Sequence, residues 1–330
     1  MNNNPLRVAV VGVGHLGQYH LQKYLAIPDI IFVGAVDINP ERLKEITTKH
    51  KVRGFRRHQD IINLVDAVSI AVPTEVHFDV AMDFLKRGIH ILIEKPITYD
   101  IAQADILLDK AKETGAIVQV GLVERFNPAV IKMKSLVKEP IFFEAHRMNN
   151  FTPRGTDVDV VLDLMIHDID IILDIVGDEI VDIHAVGMSV ITDKIDIANA
   201  RLVFKNGIAA NLTASRVSGR VLRKIRVFQP DSYISADYAK RRVTIVSHDK
   251  VRKDKFGFPK LTMEKVEFPD SDPLADEIIS FVNSVKNRQR PVVSGYDGKK
   301  ALEVALQIID EIKSNSKELN EKCLRKQFLS

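Results

Sequence analysis

One cysteine, Cys323, stands in a chain of 330 residues, which excludes an internal disulfide and any multi-cysteine metal site and fits a reducing compartment. No stretch approaches an uninterrupted 18-residue apolar run, and the first residues, MNNNPLRVAVVG, enter a strand pattern without a charged and apolar leader. A cytoplasmic protein without a membrane span is expected. Net charge is nearly absent too: Lys plus Arg total 47 against 44 acids, and a dispersed +3 leaves no nucleic-acid footprint. The basic clusters Arg220/Arg223/Lys224/Arg226 and Lys240-Arg241-Arg242 are either solvated strand faces or local contacts for an anionic ligand. No internal repeat or low-complexity tract appears.

What the chain has is core-forming material. With 45% hydrophobic residues it can bury a large core, and its length suggests two domains, placed at 1–125 and 126–330 with the last helices free to return to the first. In the first half, Val8 to Val11, Ile30 to Val36, Ala67 to Val72, Ile89 to Ile93 and Ile117 to Val120 are apolar at nearly every position, as strands covered on both faces are. Helical stretches separate them, at Leu16 to Ile27, Pro40 to Lys49, Glu75 to Arg87 and Ile101 to Thr114. That alternation predicts an α/β domain with a doubly wound parallel sheet.

The first strand runs into Gly12-Val13-Gly14-His15-Leu16-Gly17, the G-x-G-x-x-G spacing, at the start of a predicted helix. The first glycine permits the tight turn, the second lets backbone approach a pyrophosphate, and the third lets helix and strand pack closely. The spacing alone is weak, but the next strand ends in Asp37, about 20 residues further on, where a carboxylate accepts hydrogen bonds from ribose hydroxyls. Together they predict a dinucleotide site. Asp37 repels a 2'-phosphate and favours NAD, whereas Arg42 on the following helix could accommodate NADP. After the strand ending at Val72 come Pro73, Thr74 and His77, the histidine either lining the nicotinamide half of the site or serving only as a first-turn helix residue.

Gly88 to Pro96, GIHILIEKP, is a strand apolar but for His90 that ends in Glu94-Lys95 and is closed by proline. A buried strand tolerates such charges where it emerges into a cleft, and open parallel sheets bind ligands at those carboxyl ends. Lys95 is therefore a candidate site residue; the alternative is an ordinary salt bridge at a strand end. Glu124-Arg125-Phe126 places charge at the end of another buried strand, on the same side, and Asn127-Pro128 then starts a short helix as N-cap and first helical residue.

Asp159 to Val176 reads as one helix that, Asp168 apart, is apolar around most of its circumference, with Asp159, Asp163, His167, Asp170 and Asp174 spaced to share one face. Asp163 and His167, one turn apart, suit a carboxylate that orients an imidazole base and favours its protonated form. A metal ligand set and a solvated Asp–His pair are the alternatives; the spacing matches no dedicated metal signature, so no metal is assigned. From Ile180 onward, strand patterns with the hairpin signal Asn206-Gly207 predict a large, mostly antiparallel sheet with one face open, followed by two amphipathic helices.

With these residues in view, the chain resembles the glucose-fructose oxidoreductase and inositol dehydrogenase family, Gfo/Idh/MocA. Ala71-Val72-Pro73-Thr74 with His77, Gly88 to Pro96, and Asp163-Leu-Met-Ile-His167-Asp-Ile-Asp170 fall where that family has its motifs. The resemblance implies a Rossmann domain followed by an α+β domain, and NAD(P)-dependent oxidation of a sugar or cyclitol hydroxyl. It implies cofactor contacts from the glycine turn, Asp37, Val72, Pro73, Thr74, His77, Glu94 and Lys95. Lys95 would hydrogen bond the reacting hydroxyl, His167 would act as base, and Asp163 would hold substrate with Arg125 and Asn127 nearby. It also implies a cis peptide before Pro96 and a homo-oligomer, dimer or tetramer, built on the open sheet face. Met165 stands where the family often has glycine.

Leu122 to Pro128 and Met148 to Gly155 are most similar to the branch acting on UDP-N-acetylglucosamine at its 3-hydroxyl, which feeds amino-sugar lipid A synthesis. An inositol or simple aldose dehydrogenase is the alternative. A non-catalytic dinucleotide sensor is the competing class, disfavoured because a sensor has no use for Lys95 and His167 together.

Overall fold

The computed structural model describes residues 5–327 apart from 154 and 157, so Arg154, within the segment similar to the nucleotide-sugar branch, lies outside the described residues. The chain forms two compact units: one of residues up to Phe126 with Asp272–Leu302, the other of Asn127–Ser271 with the residues from Glu303 on. The expected second domain, 126–330, thus gives up Asp272–Leu302 to the first unit. Among the described residues no helix is long and apolar enough to cross a membrane.

In the first unit the alternating pattern becomes β1 (Leu6–Val11), α1 (His15–Leu25), β2 (Ile30–Val36), α2 (Pro40–His50), β3 (Gly54–Phe55), β4 (Ala67–Ile70), α3 (His77–Leu85), β5 (His90–Glu94), α4 (Ile101–Thr114) and β6 (Val118–Gly121). The six strands are all parallel in the order β3-β2-β1-β4-β5-β6. The order reverses between β1 and β4, and such a switch point opens a crevice at the strands' carboxyl ends. Helix boundaries follow from local chemistry. Asn39 caps α2 by accepting from Glu41 and Arg42 amides ahead of Pro40, and Asp100 caps α4 at Gln103. A later helix, Pro273–Asn287, capped by Asp272, packs Ile278, Phe281, Val282 and Val285 into the core that Val8, Val10, Leu21 and Tyr24 share.

The second unit holds α5 (Pro128–Leu136), β7 (Phe142–Met148), α6 (Ile166–Val176), β8 (Ile180–Met188), β9 (Ile197–Phe204), β10 (Ala209–Ser215), β11 (Leu222–Gln229), β12 (Ser232–Asp237), β13 (Arg242–Lys253) and β14 (Pro259–Glu267). The helix Pro273–Asn287 is α7, and α8 (Gly295–Gln327) closes the chain. The eight strands lie in the order β14-β13-β12-β11-β7-β10-β9-β8, antiparallel throughout except for the parallel pair β7 and β10. Burial alternates along the central strands: Phe143, Ala145 and Arg147 face inward, while Phe142, Glu144, His146 and Met148 are only partly covered. Gly207 turns the β9–β10 hairpin at φ +86°.

Candidate dinucleotide and catalytic site

The carboxyl ends of the first unit's strands carry the dinucleotide candidates. Gly12 has φ +83°, and a Cβ there would lie 2.6 Å from the Ala71 carbonyl oxygen; at Gly17 a Cβ would lie 1.7 Å from the Gly12 carbonyl oxygen. Both positions require glycine, one for its backbone conformation and both for the close approach of β1, α1 and the segment after β4. Gly14, the N-cap of α1, has no side chain to bond the helix's first amides, and those amides, with His15 and Leu16 in the first turn, suit phosphate oxygens. Asp37, only 5% exposed, accepts from the Val13 amide at 3.1 Å and the Asn39 amide at 2.8 Å. Arg42 reaches its Oδ2 at 3.5 Å. The two competing determinants of cofactor choice are therefore in contact, and the glycine cradle with a fixed acid beyond it fits a dinucleotide.

His77 is buried, and both ring nitrogens meet main-chain carbonyls, Nδ1 that of Pro96 and Nε2 that of Val72, each at 2.9 Å. The histidine thereby fastens the segment after β4, with Pro73 and Thr74, to the turn after β5. Burial holds its pKa below the usual histidine value, opposed by the two carbonyls and the Glu94 charge, which favour the ionised ring. The Lys95–Pro96 peptide bond is cis. Lys95, partly buried, follows directly on Glu94, whose carboxylate turns to His20 on α1, with Nε2 to Oε1 at 2.9 Å. Gly121 makes room for it: a Cβ there would lie 3.0 Å from the Glu94 carboxyl group.

Arg125 and Asn127 both make main-chain contacts. The Arg125 guanidinium donates to the Val292 carbonyl at 3.4 Å. Asn127 caps α5 at the Ala129 amide and donates to the Tyr238 carbonyl at 3.3 Å.

In the second unit the expected single acidic helix is two elements. Val161–Met165 is a π-helical turn with Asp163 at its centre, and α6 follows from Ile166. A π turn takes in an extra residue, which turns everything after it by about 100° relative to a continuous α-helix. The five polar residues consequently do not form one exposed stripe. Asp159 precedes the helix and accepts from the Ile195 amide at 2.8 Å, Asp170 is buried, and Asp174 pairs with Lys134 on α5. Asp168 is explained by Arg147, which binds it through two nitrogens at 3.0 Å each in the interior. Asp163 and His167 remain partly buried, and the Asp163 carboxylate lies against Gly155, where a Cβ would meet its Oδ2 at 2.8 Å. Arg216 holds that loop by donating to the Gly155 and Val158 carbonyls at 2.7 and 2.6 Å.

His20 and Glu277 also belong to this region and are not marked by any motif in the sequence. Each is a polar residue on the apolar face of its helix, beside Gly17, Leu21 and Tyr24 on α1 and Ile278 and Phe281 on α7, and that misplaced polarity was the signal available.

Comparison with known proteins matches both units. The family description "Oxidoreductase family, NAD-binding Rossmann fold" fits residues 6–122, and "GFO/IDH/MocA C-terminal domain" fits 133–229. The UDP-N-acetylglucosamine 3-dehydrogenase of Acidithiobacillus ferrooxidans is 38% identical over 304 residues, 92% of this chain and 96% of its own. The myo-inositol 2-dehydrogenase of Thermotoga maritima is 28% identical over 90% of this chain and 93% of its own. A solved structure of the Acidithiobacillus ferrooxidans enzyme superposes with a TM-score of 0.88 over 94% of this chain and 98% of that one, at 38% identity.

Proposed function

The chain belongs to the GFO/IDH/MocA oxidoreductase family and is an NAD-dependent dehydrogenase, and from that premise we propose that it oxidises the 3-hydroxyl of UDP-N-acetylglucosamine to a ketone. Supporting that substrate is the likeness to the Acidithiobacillus ferrooxidans enzyme, which runs through both units rather than the dinucleotide domain alone. Bound NAD would supply the hydride acceptor. The residues to hold it are the Gly12–Gly17 turn, Asp37, Val72, Pro73 and Thr74, with His77 fixing the turn that begins at Lys95.

In this reading Lys95 donates a hydrogen bond to the reacting oxygen and stabilises the negative charge that develops there as hydride leaves carbon. His167 takes the hydroxyl proton, and Asp163 orients the imidazole or the sugar. Arg125 and Asn127 contribute to the substrate side while holding their own loop. The same reading places the enzyme in the cytoplasm, in a lipid A amino-sugar route, and as a homo-oligomer built on the outward face of the eight-stranded sheet. The likeness to the inositol dehydrogenase supports a cyclitol as the second substrate class.

The test is turnover of purified protein with NAD against UDP-sugars, inositols and free aldoses, followed by cofactor reduction. UDP-N-acetylglucosamine is expected to give the highest kcat/KM. An inositol or aldose turned over faster would overturn the nucleotide-sugar assignment.

A further inference from the structure

Behind Lys95 lies a second set of ionisable groups that the dehydrogenase chemistry does not itself require. His20 on α1, Glu94 at the end of β5 and Glu277 on α7 bring one ligand atom each to within 4.8 Å of one another. His20 is 1% exposed and Glu277 0%. His20 is bonded to Glu94, whereas among the described residues neither carboxyl oxygen of Glu277 has a hydrogen-bond partner. Two carboxylates this close in a dry interior cannot both ionise.

The surroundings decide which one does. Around Glu94 stand the His20 ring, the Lys95 ammonium and His77. Glu277 lies within the same 4.8 Å of His20 without bonding it, and the charge that acts on it is that of Glu94, with the Tyr24 phenol, itself buried and bonded to Ser69 at 2.8 Å, also near. Burial would raise Glu94, but the His20 hydrogen bond and the neighbouring positive charges hold its pKa below the usual carboxylate range. Burial, reinforced by the Glu94 charge, raises Glu277 well above that range.

We propose that Glu94 is a positioning residue for Lys95, held as the one charged carboxylate of a buried cluster by His20 on one side and the neutral carboxyl of Glu277 on the other. The inference rests on the reading of Lys95 as the group at the reacting oxygen. Its chemical content is a fixed negative charge next to that lysine, which holds the ammonium in place to donate. A divalent cation is the competing occupant of such a cluster. It is disfavoured because His20 Nε2 and Glu94 Oε1 already satisfy each other at 2.9 Å.

Two measurements on the full chain test this without any substrate, so a failure of the nucleotide-sugar reading shows only in the turnover panel. Difference infrared spectroscopy at neutral pH should show the carbonyl band of a protonated, buried carboxylic acid that disappears in Glu277→Gln. Competitive amine labelling of Lys95 at one pH, read by mass spectrometry, should give a labelling rate changed in Glu94→Gln, where the charge that holds the lysine is lost, and unchanged in Glu277→Gln, where a neutral group replaces a neutral group. Both substitutions keep side-chain shape, and a thermal melt checks that each variant is folded. The proposal is overturned by an absent carboxylic acid band, by a Lys95 labelling rate indifferent to Glu94→Gln, or by a stoichiometric divalent metal lost on His20→Leu.

Discussion

The Val13 amide donates to the Asp37 carboxylate at 3.1 Å, so the glycine turn after β1 and the acid after β2 act as one piece. Removing the acid should have two effects at once. Asp37→Ala should lower kcat/KM with NAD by about 10- to 100-fold, the cost of losing a charged hydrogen-bond acceptor. It should cost less with NADP, because the repulsion of a 2'-phosphate goes too and Arg42 stays. Steady-state kinetics with both cofactors checks this; an unmodified enzyme that prefers NADP would transfer the determinant to Arg42.

Lys95→Met should keep the fold and the affinity for NAD yet lose about 10²- to 10³-fold or more in turnover, as expected when a donor to a developing oxyanion is removed. Cofactor titration by fluorescence and single-turnover rates separate the two. Near-normal turnover would remove Lys95 from the chemistry.

Replacing His167 with asparagine keeps size and a hydrogen-bonding group but cannot accept the proton. The oxidative rate of the unmodified enzyme should climb as the imidazole becomes neutral, and His167→Asn should flatten that climb. A variant with the same pH profile, or activity in the native enzyme that chelators abolish and divalent ions restore, would overturn the base assignment.

Gly155 sits at φ +70° with its Cα facing the Asp163 carboxylate. Gly155→Ala should destabilise by only about 1–2 kcal/mol, the cost of a side chain in the left-handed region. The added methyl must also displace Asp163, so kcat/KM for the sugar should fall more than NAD affinity does. Unchanged sugar kinetics would separate Asp163 from the substrate.

Asp196, fully buried, accepts from the Val190, Ile191 and Thr192 amides and from the Thr192 hydroxyl. Burial opposes its ionisation, but these donors hold its pKa below the usual carboxylate range. Because the folded pKa lies below the unfolded one, its stabilisation is complete above the unfolded value of about 4 and is lost as pH falls below it. Asp196→Ala should cost about 3 kcal/mol at neutral pH, with a smaller deficit in acid, measurable as melting temperature against pH. An equal deficit at every pH would contradict the ionised carboxylate.

The parallel sheet was legible because its strands are apolar at nearly every position and its turns carry chemistry with fixed spacing, Gly12 to Gly17 and Asp37 above all. The hairpin at Asn206-Gly207 and the cap at Asn127-Pro128 were readable for the same reason: each is decided by neighbours in sequence. The π turn at Val161–Met165 was not, since an extra residue per turn leaves no mark on an apolar pattern that either helix type satisfies. The His20–Glu94–Glu277 cluster was hidden because its members are brought together by packing of α1, β5 and α7 across 257 positions of chain, from residue 20 to residue 277.

In the proposed reaction hydride leaves carbon 3 of the sugar for NAD. Purified enzyme given UDP-N-acetylglucosamine deuterated at carbon 3 should yield reduced cofactor carrying the deuterium, with one ketone formed per cofactor reduced and a slower rate when hydride transfer limits turnover. Reduced cofactor without the label, from a substrate that keeps deuterium at carbon 3, would contradict the account.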